Sequence, residues 1–102
     1  MTLQEYLLTN GNSLNQVPRL ECNDGFNMSV QASEHHYCYP RENNVIWTEV
    51  EIGFISDYEE TLMSYCENID KPLETVYSFV PIEIAQQVID NHGGCEYEPT
   101  KD

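Results

Sequence analysis

The stretch ECNDGFNMSVQASEHHYCYPRE, residues 21–42, carries two of the four cysteines and two of the three histidines of the chain. Such donors can hold a metal, supply a nucleophile with its base, or simply pack. A structural zinc ion needs three or four Cys or His ligands converging within about 2.0–2.3 Å of one point, and small domains supply them as close sequence pairs. His36-x-Cys38 would project both side chains from one face of a strand, whereas His35-x-x-Cys38 would need a loop; His92-x-x-Cys95 straddles the end of a predicted helix. With Cys22 at the end of a neighbouring strand, the expected ligands of a structural zinc are Cys22, His36, Cys38 and His92. Cys66 is expected to pack as a small apolar side chain and Cys95 to be an exposed thiol in the tail, with the replacement of a ligand by either left open. None of these spacings is the C-x-x-C of a zinc ribbon.

Catalysis has less support. Cys38 beside two histidines could be a nucleophile, but adjacent strand residues point to opposite faces and no third, orienting group is apparent. Glu34 could serve an open zinc site as general base, yet a chain this acidic places a carboxylate near any site. No Gly-rich phosphate loop, nucleophile elbow or His-Glu-x-x-His is present, and the chain is read as a non-enzyme.

Charge speaks more loudly. Eighteen Asp and Glu stand against Arg19, Arg41, Lys71 and Lys101, a formal net charge of -14. Self-repulsion on that scale costs stability, so either solubility or a strongly basic partner must favour it. Direct binding of nucleic acid is excluded, because no basic patch exists to neutralise phosphates. A basic nucleic-acid-binding protein is the expected partner. Glu49 and Glu51 are two apart on a predicted strand, hence about 6.6 Å apart on one face, and Asp57, Glu59 and Glu60 extend the negative surface into the next element. Trp47 and Tyr58, interleaved among them, are the expected aromatic anchors of the interface.

The elements that must position these groups follow from periodicity and punctuation. Thr2-x-x-Glu5 is a capping box that starts a short helix over 2–9, stopped at Asn10-Gly11. RLEC, FNMSVQAS and VIWTEVEIGF alternate as half-buried strands, with Phe26, Met28, Val30 and Ala32 on one side. In the third run Ile46, Thr48, Val50 and Ile52 share one face, Val45, Trp47, Glu49 and Glu51 the other. Ser56 to Glu59 is a second capping box, opening a helix of about three turns. ETVYSFV is a further strand, and PIEIAQQVIDNHGG a helix with Pro81 first, an apolar stripe of Ile84, Ala85, Val88 and Ile89, and Gly93 as its stop.

One domain over 1–102 is expected, with sheet and helices over 19–93 and a frayed tail over 95–102: an α+β fold with a small antiparallel sheet of three to four strands and two to three helices, packed on one face. The N-terminus has no secretory signal pattern and no run approaches a membrane span, which gives a cytoplasmic expectation with cysteines as thiols or ligands rather than disulfides. Zinc would contribute on the order of 10 kcal/mol to so small a domain, ample to offset its self-repulsion.

At CNDGFNMSVQASEHHYCYPR, then TEVEIGF, TVYSFVP and the closing HGG, the chain resembles a family of small acidic proteins encoded by bacteriophages and mobile elements of Firmicutes, and among them a type II-A anti-CRISPR protein of the metal-carrying sort. The resemblance spans about Cys22 to Gly94. It implies a stoichiometric inhibitor, acting in the host bacterial cell, that binds a type II CRISPR nuclease and blocks DNA loading through an acidic surface. Such an effector holds its guide and target in a positively charged channel, where an acidic wedge competes without chemistry. A zinc-binding phage accessory protein, acidic only for solubility, is the alternative.

Overall fold

In the computed structural model, residues 2–96 are described, so the expected frayed tail lies outside them from residue 97 on. Helix α1 (Leu3–Thr9) starts as its sequence demands. The Thr2 hydroxyl accepts from the Glu5 backbone N–H at 3.1 Å, and the Glu5 carboxylate accepts from the Thr2 N–H at 2.8 Å. Strands β1 (Leu20–Glu21), β2 (Asn27–Gln31), β3 (Glu49–Gly53) and β4 (Val76–Pro81) form one antiparallel sheet in which each pairs with the next in sequence. Helix α2 (Ile82–Asn91) lies over β3 and β4, with α1 and a 3-10 helix (Glu60–Tyr65) beside it. Four strands and three helices make the α+β class expected.

Alternation places Met28, Val30, Val50 and Ile52 on the core side of the sheet, where each is fully buried in one cluster with Ala85, Val88 and Ile89 of α2. Each such aliphatic side chain contributes about 1.5–3 kcal/mol through burial. The end of α2 is closed by a Schellman motif: the Gly94 N–H reaches the Ile89 carbonyl at 2.9 Å and the Gly93 N–H the Asp90 carbonyl at 3.1 Å. Gly93 has φ +87, a left-handed turn that glycine makes without a Cβ penalty.

Two bulges set which side chains face outward. Val50 pairs with Val80 and Ile52 with Tyr77, so β4 takes three steps where β3 takes two, and Ser78–Phe79 carries the extra residue. Tyr77 and Val80, which a regular strand would send to opposite faces, therefore both enter the core, and Phe79 is turned outward at φ 54 and 44% exposed. The second bulge lies just before β3, where the Tyr39 carbonyl accepts from both the Thr48 N–H (2.8 Å) and the Glu49 N–H (3.2 Å).

That second bulge corrects the expected strand over Val45–Phe54. Only Glu49–Gly53 is strand, and parity inverts across Thr48: Trp47 is buried at 3% while Ile46 is 75% exposed. The expected three-turn helix from Ser56 is also corrected. The Ser56 hydroxyl accepts from the Asn27 N–H at 2.9 Å and its own N–H reaches the Asn27 carbonyl at 2.9 Å, so it extends the pairing of β2 instead of capping. Glu59 caps in its place, its carboxylate accepting from the Thr61 N–H, and only the six-residue 3-10 helix follows.

Candidate protein-binding face

The four expected zinc ligands are placed as two separate pairs. Cys22 and His92 lie on adjacent segments at the β1–β2 turn, where the Asn23 N–H reaches the Gly94 carbonyl at 2.8 Å. His36 and Cys38 lie in the loop after β2, so the five residues of that strand, at about 3.3 Å each, stand between the pairs. Among the described residues no group of three or more His, Cys, Asp or Glu side chains could hold a metal ion. His36 and Cys38 are also engaged locally. The Cys38 thiol donates to the Ser33 carbonyl at 3.2 Å, and burial pushes its pKa up. Nδ1 of His36 lies 2.6 Å from the Ser33 hydroxyl, and burial lowers the His36 pKa, which favours the neutral ring. The four side chains thus stand as two pairs, one at each end of β2.

His92 has a different occupation. Its Nδ1 lies 2.6 Å from an Asp24 carboxylate oxygen and its Nε2 2.7 Å from one of Glu59, while its ring stacks on Phe26 with centroids 4.1 Å apart. Burial alone would lower the His92 pKa; the bonds to Glu59 and Asp24 outweigh it and hold the pKa above its ordinary value. Asp24 is lowered chiefly by the Phe26 N–H and then by His92. For Glu59, burial opposes ionisation, but His92 and Thr61 together hold its pKa down. The three groups form a charged clamp that ties the end of α2 to the β1–β2 turn and to the 3-10 helix. Glu59 is thus withdrawn from the acidic surface expected of it, with its side chain only 12% exposed.

The other expected contact residues divide. Trp47 cannot anchor a partner: it is buried, its indole N–H donating to the Glu42 carbonyl at 3.0 Å and its backbone N–H to Gln4 at 2.9 Å. Tyr58, Asp57 and Glu60 are exposed, and the Tyr58 hydroxyl donates to Glu60 at 2.6 Å. Glu49 and Glu51 stand half-exposed on the side of β3 opposite Val50 and Ile52, as period-two spacing requires.

Around Glu51 the uncovered sheet face is concave. The Gln31 side chain accepts from the Val17 N–H at 2.9 Å and donates to the Val17 carbonyl at 2.8 Å, which draws the segment before β1 alongside β2. An open groove of about 690 Å³ results, its wall including Leu14, Gln16, Ser29, His35, Glu51 and Phe54. Its rim is apolar. Leu14 is 64% exposed and Phe54 52%, and beyond Glu51 the exposed Tyr37 and Phe79 rings pack tilted, centroids 6.2 Å apart, with the Arg41 guanidinium 5.2 Å over Tyr37.

Phe54 (φ 51) and Phe79 (φ 54) are both in the left-handed region, which costs a bulky residue about 1–2 kcal/mol. Each is held there. Arg19 donates to the Phe54 carbonyl at 2.6 Å and to Asn27 at 2.7 Å, and the Phe79 N–H reaches the Tyr37 carbonyl at 3.0 Å. Strain of this kind collects where a surface is shaped for contact. Sequence reasoning missed Leu14, Tyr37, Phe54 and Phe79. Only the runs Gly53-Phe54 and Tyr77-Ser78-Phe79, aromatics at strand ends, hinted at two of them.

No protein-family model, curated protein or solved structure matches the chain. Among the described residues, no helix is long and apolar enough to cross a membrane.

Proposed function

We propose that the protein is a stoichiometric, non-catalytic binder that covers a basic surface of a nucleic-acid-binding protein with its uncovered sheet face, and that its target is a type II CRISPR nuclease, as the resemblance implies. One observation carries the reading: Glu49 and Glu51 lie on a sheet face that no helix among the described residues covers, near exposed aromatics on left-handed backbone. The net charge of -14 supports it, because opposite charge steers encounter and matches a channel built for phosphates. Aromatic anchors beside carboxylates suit Arg and Lys side chains, whose stems are apolar and whose heads are cationic.

The test is binding to a guide-loaded type II CRISPR nuclease, with and without target DNA, across a salt series. One-to-one capture that prebound DNA prevents, and that weakens as the Debye length shrinks from about 10 to 3 Å, is the expected result. Glu49→Lys with Glu51→Lys should keep the melting temperature within a few degrees while reducing affinity by at least about tenfold. Inhibition with turnover at sub-stoichiometric protein would mean an enzyme instead.

A further inference from the structure

Cys22 and Cys95 are separated by about 70 residues of chain, yet they stand directly opposite each other as an antiparallel bridge pair. Antiparallel pairs are of two kinds, and the hydrogen bonds identify this one. The Cys22 N–H is given to the Phe26 carbonyl at 2.7 Å, so it does not bond Cys95, while the flanking Asn23 N–H reaches the Gly94 carbonyl at 2.8 Å. This is the pattern of a non-hydrogen-bonded pair, in which Cα atoms approach to about 4.5 Å and the side chains lean together. A disulfide asks for Cα atoms about 4.4–6.8 Å apart and Cβ atoms about 3.5–4.5 Å apart. The other two cysteines lack this arrangement: Cys38 is in the loop after β2 and Cys66 bridges Tyr77.

The surroundings hold the pair in register. Gly93 and Gly94, both left-handed, carry the chain out of α2 and back along β1, and the Asn23 side chain donates to the Gly93 carbonyl at 2.6 Å. The His92 clamp fixes the residue just before them. Both cysteines are thiols in the structure, Cys22 buried and Cys95 half-buried.

We propose that Cys22 and Cys95 are a thiol pair built to close into a disulfide, with a small-molecule disulfide such as glutathione disulfide as oxidant. The Cys95 thiolate, the more accessible, attacks one sulfur of glutathione disulfide, forming a mixed disulfide and expelling one glutathione thiolate. The Cys22 thiolate then attacks the Cys95 sulfur, forming the internal bond and expelling the second. The protein loses two electrons and two protons, and the oxidant becomes two glutathione thiols. Burial, and after it the neighbouring Cys95 and Asp24, push the Cys22 pKa up to about 11. The bond encloses a long loop and staples the chain beyond α2 to β1.

The experiment treats the full chain with excess glutathione disulfide and reads intact mass and melting temperature. Wild type and Cys66→Ser should lose two hydrogens without retaining glutathione, and should melt more than about 10 °C higher than the reduced protein. Cys95→Ser, at a half-buried position that tolerates the change, should keep its full hydrogen count or carry one glutathione. Stable glutathionylation of wild type without internal closure, or the same loss of two hydrogens in Cys95→Ser, would overturn the proposal.

Discussion

The two faces of the sheet are made from the same strands and obey opposite rules. On the helix side, Val30, Val50, Ile52, Tyr77 and Val80 are all fully buried, and shape alone decides what each position accepts. On the other side stand Glu49, Glu51, Phe54 and Phe79, half-exposed or exposed, two of them on a strained backbone. The covered face is what a small chain needs in order to fold. The uncovered one includes features that folding does not ask for. The β4 bulge joins them, because the same extra residue that brings Val80 into the core throws Phe79 out of it.

The largest effect that can break this division belongs to Trp47. Its burial assigns it to the core, so Trp47→Ala should destabilise by about 3–5 kcal/mol and lower the melting temperature by more than about 10 °C. An unchanged melting temperature with lost partner binding would return it to the interface. Thermal unfolding of the variant beside Glu51→Gln, expected to fall within about 0.5 kcal/mol of wild type, measures the contrast between the faces directly.

A smaller effect tests the clamp that holds the covered side closed at its edge. The His92 pKa is raised, so its contribution is fully present below the ordinary value of 6.5 and is lost as pH rises through the folded value above it. Asp24 and Glu59 are lowered from 3.8 and 4.5, so theirs is present above those values and is lost as pH falls through the folded ones. The stability difference between wild type and His92→Gln should therefore be greatest between about pH 4.5 and 6.5 and shrink on both sides. Melting curves of the two proteins from pH 3 to pH 9 provide the measurement, and a flat difference would show that the clamp is not charged.

The covered face was largely legible in the sequence, and the reasons are local. The Thr2–Glu5 box, the Phe26-Met28-Val30-Ala32 alternation and the stripe of α2 ending at Gly93 each need only neighbours within a few residues, and each is present. Glu49 and Glu51 were placed correctly on one face by the same period of two. What escaped depends on distant partners. The bulge at Thr48 exists because two N–H groups share the Tyr39 carbonyl, and that register decides whether Trp47 faces in or out. The carboxylate partners of His92 escaped because they lie 68 and 33 residues away in sequence. Ser56 has the sequence of a cap, but its hydroxyl and its N–H are both taken by the Asn27 backbone, and the cap falls to Glu59 instead.

The smallest expected effect has the opposite sign to the others. If Phe79 is held left-handed to present its ring, a residue that tolerates that conformation should relieve the strain. Asn is several-fold enriched there and avoids the unfolded-state entropy that Gly would add. The ring of Phe79 is 44% exposed and packs only obliquely on Tyr37, so the burial forfeited is partial. Phe79→Asn should therefore stabilise by about 1 kcal/mol and raise the melting temperature by about 4–8 °C, while weakening capture of a basic partner. A core Phe would behave in reverse, losing about 3–5 kcal/mol on truncation. Destabilisation in the variant would mean that Phe79 belongs to the packed side of the sheet after all. A gain in stability with undiminished binding would leave the strain at Phe79 unconnected to the interface and move the search along the groove to Leu14 and Phe54.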